Sequence, residues 1–297
     1  MKTFIALVKR NVKIFFKDKG AFFSSLITPL ILLVLYATFL AKIYRDSFVS
    51  SLKGYHVAAS LIDGAVAGQL FSSLLAVCCV TVAFCSNMIS VQDKVTGVAN
   101  DLLVSPVKRS AAAVSYSVAA FISTLIVTLT ATAVSLIYVA TVGWYMSFTD
   151  VLLVISDVVL LSAFGTILSS VITAFLSSQG QVQAVGTIVS AGYGFICGAY
   201  MPISQFGDGL QTALGFLPGT YGTMLLRNHA LNGVYSAMNF PPAPEVIKGI
   251  KDGIDCNIYF FGNKVEIWVA YTVLIGSIVL LTALYILAYA LRRGKNK

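Results

Sequence analysis

Apolar residues are gathered along the chain in long runs that short polar segments separate. Six of these runs reach about 20 residues or more, the length that an α-helix needs to cross a bilayer. The pattern therefore predicts an all-α membrane protein with six transmembrane helices. The expected spans lie near residues 21–41, 63–90, 111–142, 151–176, 182–201 and 267–291.

The segment before the first span, residues 2–19, is amphipathic at the helical period. A helix of this kind rests in the membrane interface, with its rings among acyl chains and its cations among anionic head groups. We expect an interfacial helix over residues 1–20 and a transmembrane domain over residues 21–297. A basic leader without a fixed helix is the alternative. The residues that define the two faces include Lys9, Arg10, Lys13, Phe15 and Phe16.

Composition indicates that lipid is the solvent for much of the chain. Of the 297 residues, 58% are hydrophobic and only 11% are charged, whereas roughly a quarter are charged in ordinary soluble domains. A soluble core of this size could not hide so much apolar surface. The formal net charge of +8 could indicate a nucleic-acid partner, but the positions of the basic residues favour a topological signal.

The distribution of Lys and Arg predicts the orientation. With a cytoplasmic N-terminus, thirteen of the 20 Lys and Arg residues fall in cytoplasmic segments, and the longer external segments hold the others with most of the acids. By the positive-inside rule, both termini are then cytoplasmic, and residues 91–110 form a cytoplasmic loop. We expect a multi-pass protein of the cell's inner, or cytoplasmic, membrane.

Residues suited to catalysis or metal binding are sparse. Four of the five cysteines lie within apolar runs, and the two histidines are far apart with no cysteine or carboxylate at ligand spacing, so no metal site is expected. The chain has no catalytic motif and no phosphate-binding G-x-x-x-x-G-K-[ST] loop. We therefore expect it neither to be an enzyme by itself nor to bind ATP or another cofactor.

Small residues recur every four positions in the fifth predicted span. Such a ribbon allows another helix to approach closely, so it could lie at a dimer seam, line a substrate path or serve ordinary packing, which is the default. Pro29 is expected to kink the first span, because its ring removes one backbone hydrogen bond. The small residues are Gly186, Ser190, Gly194 and Gly198.

Asp157 lies near the outer end of the fourth span, seven residues after Asp150 and therefore on the same helix face. An ionisable residue at membrane depth is a functional candidate, and proton coupling is one possible role. Nothing in the sequence pairs with Asp157, and a short hydrated crevice could reach it instead. In the external segment, residues 202–266, we expect two short helices that dip into the outer leaflet around Pro218, followed by a small excursion.

The cytoplasmic loop, DKVTGVANDLLVSPVKR, resembles the loop after the second span of ABC-2 type permeases, the membrane subunits of type V ABC exporters. That loop has an acidic–basic pair, a Gly, an amphipathic turn ending in two Leu, and Ser or Thr before Pro. The span order, the amphipathic helix and the Gly-x-x-x-Pro stretch are also similar. Val98 and Ala99 depart from the family's usual Thr-Leu, which leaves the subfamily open. The matching positions are Asp93, Lys94, Gly97, Leu102, Leu103, Ser105, Pro106 and Lys108.

The resemblance implies a permease that pairs with a second permease and takes its energy from separate ATPase subunits, which hold ATP and Mg²⁺. A coupling helix over about residues 95–104 would seat Leu102 and Leu103 on the ATPase, and Pro106 would end that helix. Asp93, Lys94 and Lys108 would supply charged anchors. The first and fifth spans, with Pro29 and the small-residue ribbon, would form the seam between the two permeases.

The implied activity is export of a hydrophobic or amphipathic substrate, such as a drug, an antimicrobial peptide or a lipid, as in the multidrug-type branch. A glycan or polymer exporter is the alternative within the family. An ion-coupled carrier is a further hypothesis that would need paired charges within the membrane. A membrane sensor or scaffold is another, with the external segment as its ligand domain.

Overall fold

The computed structural model describes residues 2–52, 55, 57–99, 109–238 and 243–294, which are almost entirely helical. Residues Tyr36–Leu40 form a π-helical turn that joins α2 to α3 without a break. The helices of the first half are α1 (Lys2–Lys17), α2 (Lys19–Leu35), α3 (Ala41–Ser51), α4 (Ala59–Val95), α5 (Arg109–Val142) and α6 (Phe148–Phe175).

The second half combines one helix of 28 residues with shorter elements. A single 3₁₀ turn, Ile203–Gln205, lies between α7 and α8. The two short strands pair antiparallel through Tyr259 opposite Lys264 and Phe260 opposite Asn263. The elements are α7 (Gln179–Ile196), α8 (Asp208–Gly215), α9 (Pro218–Ala237), α10 (Ala243–Gly253), β1 (Tyr259–Phe260), β2 (Asn263–Lys264) and α11 (Ile267–Gly294).

Within the described residues, five helical segments are long and apolar enough to cross a membrane. The fifth predicted span is not among them, because the 18 residues of α7 begin with polar side chains and are not apolar enough as a whole. It ends at Ile196, five residues before the predicted end of that span at residue 201. The six-span topology therefore stays a prediction. The five segments are Lys19–Ser51, Ala59–Val95, Ser110–Val142, Phe148–Phe175 and Ile267–Leu287.

The central element is α4, whose residues are buried without interruption from Gly64 to Phe84. It is apolar on every side, and such a helix is stable only when other helices surround it. Its neighbours are α2, α5, α6, α7 and α9. The hydrophobic core is built around this one helix.

Two helices do flank Pro218, as predicted, but the second of them is not short. The helix α9 has 20 residues, with Pro218 in its first turn, where a missing N–H costs nothing. It packs against α4, α6 and α11, and 14 of its residues are buried. Most of α9 therefore belongs to the protein interior.

The N-terminal helix α1 forms as predicted, but its two phenylalanines have different surroundings. Phe15 is fully buried against Val82 and Ile89 of α4 and Val127 of α5, so it contacts the bundle and not acyl chains. Phe16 is 37% exposed, and Lys9 and Lys13, seven and three residues earlier on the same side of the helix, are exposed as well. One aromatic side chain thus fastens α1 to the bundle.

Gly165 of α6 permits the close contact between α6 and α4. A Cβ atom at this position would lie 2.7 Å from the carbonyl oxygen of Cys79 and 2.9 Å from the Cα atom of Val80. Both obstacles are backbone atoms of a buried helix, so neither can move without displacing α4. Small residues serve this purpose in membrane helix packing.

We predict that Gly165→Ala will force α4 and α6 apart and lower the free energy of unfolding by about 1–3 kcal/mol, the range for overpacked cores. Thermal or SDS unfolding of the purified protein in detergent measures the change. Gly192→Ala in α7 is the matched control, because nothing lies within 4 Å of the added methyl group. Equal stability of the two variants would contradict the packing described.

Candidate functional site

Asp93, near the inner end of α4, is the centre of a polar cluster that joins three helices. Arg10 of α1 donates to both carboxylate oxygens, at 2.6 Å and 3.2 Å, and the Tyr116 hydroxyl of α5 donates at 2.5 Å. The Asp93 side chain is 10% exposed. Its hydrogen bond raises the pKa of Arg10 above the usual value, so the guanidinium stays charged. We call Arg10, Asp93 and Tyr116 the inner clamp.

Lys94 extends these contacts to a fourth helix. Its Nζ donates to the backbone oxygen of Thr173 at 3.0 Å and of Leu176 at 3.4 Å, at the inner end of α6. The last carbonyl groups of a helix lack partners within the helix, and a cation there also interacts favourably with the helix dipole. The predicted acidic–basic pair therefore binds α1, α5 and α6 directly beside the loop.

Gly97 ends α4 through its backbone conformation. Its φ of +84° lies in the left-handed region that favours glycine, and its N–H donates to the carbonyl group of Lys94 at 3.4 Å. Val98 and Ala99 are again helical. The other predicted coupling residues, Leu102, Leu103, Pro106 and Lys108, lie outside the described residues.

The outer face of α1 carries a broad depression of about 660 Å³ close to the inner clamp. Four of its lining residues are basic and one is acidic, whereas the lining surface itself is mostly apolar. An interfacial helix would present such a surface to lipid head groups. The described lining residues are Ala6, Lys9, Arg10, Lys13, Ile14, Lys17 and Asp18.

A comparison with models of protein families matches residues 2–230 to the ABC-2 type transporter. The match covers most of the chain, including the inner clamp, Lys94 and Gly97. The chain belongs to the ABC-2 type transporter family. It is therefore a transporter permease of the membrane, consistent with a chain that is not an enzyme by itself, and family membership implies ABC ATPase partners. Comparisons with curated proteins and with solved structures gave no match.

Asp157 has two buried partners that lie far from it in the sequence. Its carboxylate is 2.6 Å from Nδ1 of His229 in α9 and accepts a 2.6 Å hydrogen bond from the Tyr271 hydroxyl of α11. The side chain is 1% exposed, so no hydrated crevice reaches it. Asp150 faces α9 as well, through Asn232 at 2.9 Å, which confirms that the two carboxylates share a helix face.

Arg227 of α9 is a fully buried charge that sequence analysis did not single out. Its guanidinium lies 3.4 Å from the Asp255 carboxylate and donates to Ser73 of α4 and to the carbonyl oxygen of Gly198. With its amide oxygen turned inward, Gln69 of α4 also accepts from the guanidinium at 3.2 Å. Asp255 in turn accepts from the backbone N–H groups of Ile203 and Ser204.

The buried polar contacts of Asp157 and Arg227, which we call the outer cluster, could not be predicted from the pattern of apolar residues. Arg227 and His229 lie in a segment of mixed composition that was expected to be external. No local feature of the sequence marks Arg227 as buried. The partners themselves come from α6, α11 and the excursion, so no local pattern could have named them.

The small-residue ribbon is used partly within the chain. The Thr28 hydroxyl of α2, next to the buried Pro29, donates to the carbonyl oxygen of Ser190 at 3.1 Å, so α2 and α7 are in contact. A Cβ atom on Gly194 would lie 2.5 Å from the Tyr200 ring. Gly198 lies beyond the end of α7 with φ +75°, whereas Gly186 is half-buried beside Met88. Whether Pro29 kinks α2 stays a prediction.

Side chains suited to metal binding or catalysis are scarce in the part of the chain that the structure describes. No cluster of three or more His, Cys, Asp or Glu residues there could hold a metal ion. Burial raises the pKa of the Cys256 thiol to about 11, which keeps it protonated and a poor nucleophile. The polar side chains of the two clusters mainly bind one another and the backbone.

We predict that Arg10→Ala will lower the free energy of unfolding by about 1–3 kcal/mol, because it leaves the Asp93 carboxylate without its cation. SDS unfolding in detergent measures the loss, and Lys9→Ala is the control because Lys9 is exposed one position earlier. In the Arg10→Ala background, Asp93→Asn should lower the free energy of unfolding only slightly further. Equal effects of Arg10→Ala and Lys9→Ala would argue against the clamp.

A double-mutant cycle tests the Asp157–His229 pair. Asp157→Asn and His229→Asn should each destabilise the protein, and the pair should be non-additive by about 0.5–3 kcal/mol, as for residues in direct contact. Asp63→Asn with His229→Asn is the control cycle, because Asp63 pairs with Arg45 on an exposed part of the surface. Strictly additive losses for Asp157 and His229 would contradict the contact.

Proposed function

We propose that this chain is the permease subunit of an ABC exporter, dimerises, and is driven by a separate ATPase subunit that docks on the coupling loop of residues 91–110. The inner clamp is the observation that carries this proposal. It binds Asp93, at the start of the loop, to α1 and α5, and the next residue, Lys94, binds α6. A force applied to the loop would therefore be transmitted to three helices together.

The mechanism follows from these contacts. The ATPase subunits bind ATP and Mg²⁺, and their closure displaces the loop, with Leu102 and Leu103 seated in a groove of the ATPase. The Arg10–Asp93 ion pair carries the displacement to α1, and Lys94 carries it to the inner end of α6. Because α6 is one continuous helix of 28 residues, its outer end moves with its inner end.

The outer end of α6 is where the displacement meets the second polar cluster. Asp157 binds α9 and α11, and Asp150 binds α9. The helix α9 is tied through Arg227 to α4 and to the outer excursion. Movement of α6 would shift this whole outer assembly, which is the side from which an exported substrate leaves.

A second permease would pair along α2 and α7. The described face of α2 is apolar and open, with Phe23 and Val34 both 61% exposed. It lies next to α7, which exposes Ile188 and presents Gly186 and Ser190 at half-buried positions. A second copy covering this surface would place Pro29 and the remaining ribbon close to the seam. Both termini would be cytoplasmic, in the cell's inner membrane.

The apolar surfaces of α2 and α7 that a dimer would enclose suit a hydrophobic or amphipathic substrate, such as a drug, a peptide or a lipid. This is our basis for the multidrug-type branch over glycan export. The Asp157–His229 pair supplies the paired groups that an ion-coupled carrier would need, but family membership supports an ATPase as the energy source. Resistance or transport measured against a panel of compounds would identify the substrate.

We predict that Leu102→Arg leaves the permease inserted in the membrane but abolishes co-purification with its ATPase subunit, because a buried charge replaces an apolar anchor. Pull-down of the tagged ATPase from detergent extracts measures the loss. Leu210→Arg is the matched control, since Leu210 is already 47% exposed in α8 on the opposite side. Undiminished co-purification and transport by the Leu102→Arg protein would refute the assignment of the coupling site.

A further inference from the structure

The excursion before α11 ends in a β-hairpin whose tip is an exposed phenylalanine. Phe261 and Gly262 form the two-residue turn between β1 and β2, with φ of +48° and +77°. A turn with two positive φ angles normally carries Asn or Asp followed by Gly. A bulky aromatic residue rarely adopts this conformation, and here 69% of Phe261 is exposed.

Phe261 is part of a three-ring cluster. Its ring centroid lies 4.7 Å from that of Phe260 and 6.3 Å from that of Phe216, at the end of α8. Phe260 and Phe216 are 5.0 Å apart, and Phe216 is 64% exposed. We call Phe216, Phe260 and Phe261 the aromatic tip. In water, so large an apolar surface on a turn would be unfavourable.

The positions of the neighbouring helices place the aromatic tip at membrane depth. Tyr271, which bonds Asp157, lies only four residues after the start of α11, a rise of about 6 Å. Asp157 is nine residues, or about 13 Å, inside the start of α6. The helix α11 therefore begins well below the outer end of α6, and the hairpin that leads into it enters at that lower level.

The other half of the aromatic tip is likewise held below the outer end of α6. Gly222, in the first turns of α9, abuts Leu161, which lies well inside α6. The Tyr221 hydroxyl donates to the carbonyl oxygen of Gly215 at 2.6 Å, which fixes the end of α8 beside the first turn of α9. Phe216 is thus held near the deep end of α9, and its exposed ring points away from the protein at that level.

We infer that the aromatic tip inserts into the outer leaflet of the bilayer and anchors the β1–β2 hairpin to lipid. The lipid-facing surface of α11 continues from it, with Trp268 69% exposed in the first turn and Val279 64% exposed further in. Trp and Tyr are enriched at membrane interfaces, and Tyr259 is held there by its hydrogen bond to Asp252. Lys264 on β2 is exposed and can reach lipid phosphates.

This anchor does not follow from family membership. The family match ends at residue 230, so the hairpin lies beyond it. The inference is also independent of ATPase docking. A second copy of the chain is the competing occupant, but α11 packs on α6 and α9 and not on the α2 and α7 surfaces proposed for dimerisation.

Tryptophan quenching by brominated lipids tests the anchor in the full-length protein. The probe is Phe261→Trp in a Trp144→Phe, Trp268→Phe background, reconstituted into phosphatidylcholine vesicles. Bromines near the head-group end of the acyl chains should quench its fluorescence severalfold more than aqueous iodide does. Glu245→Trp is the control, since Glu245 is an exposed charge in the first turn of α10, and its fluorescence should be quenched by iodide and not by lipid.

Two results would overturn the inference. Quenching of Phe261→Trp by iodide and not by brominated lipid would place the hairpin in water. High-yield disulfide cross-linking of Phe261→Cys between two copies, without lipid quenching, would make the aromatic tip a protein interface.

Phe261→Asn separates anchoring from folding. Asn suits the turn, so the unfolding midpoint in detergent should not fall, whereas hydrogen-exchange protection of residues 259–264 in vesicles should.

Discussion

Lipid offers no hydrogen-bond partner, so a polar side chain buried in this protein is costly unless another part of the chain satisfies it. Asn87 of α4 shows the constraint in its simplest form, since its amide nitrogen lies within hydrogen-bonding distance of the Thr166 carbonyl group, Ser169 and Ser170 of α6. Arg227, Asp157 and Asp93 meet the same requirement with charged groups. Each of these contacts joins different helices, so satisfying polar atoms also fixes how the helices pack.

The helix α6 makes polar contacts with other helices along its whole length. At its inner end α6 receives Lys94, in its middle it binds Asn87, and near its outer end Asp157 and Asp150 bind α9 and α11. Gly165 holds the same helix against the backbone of α4. The arrangement connects the loop between α4 and α5 mechanically to the helices at the opposite end of α6. An ATP-driven permease requires a connection of this kind.

Features set by local pattern could be predicted from the sequence, and features set by distant partners could not. The apolar runs indicated the long helices, and the helical period indicated α1, because both depend on neighbouring residues. The predicted end of the fifth span, residue 201, was wrong. The pattern of small residues continues past Ile196, where α7 ends, but Gly198 turns the backbone toward Arg227. Asp157 was identified as a candidate without its partners, because His229 and Tyr271 lie 72 and 114 residues away. The loop residues Asp93, Lys94 and Gly97 were found by resemblance, and only the structure shows what the first two bind.

The central claim is that the energy for transport enters through the loop between α4 and α5 from a separate ATPase. The most direct measurement is uptake of a fluorescent amphipathic probe into inside-out vesicles that contain the permease with or without its ATPase. The account predicts uptake that requires both subunits and ATP hydrolysis. Uptake by the permease alone, driven by a proton gradient without ATP, would contradict it and would point to the Asp157–His229 pair.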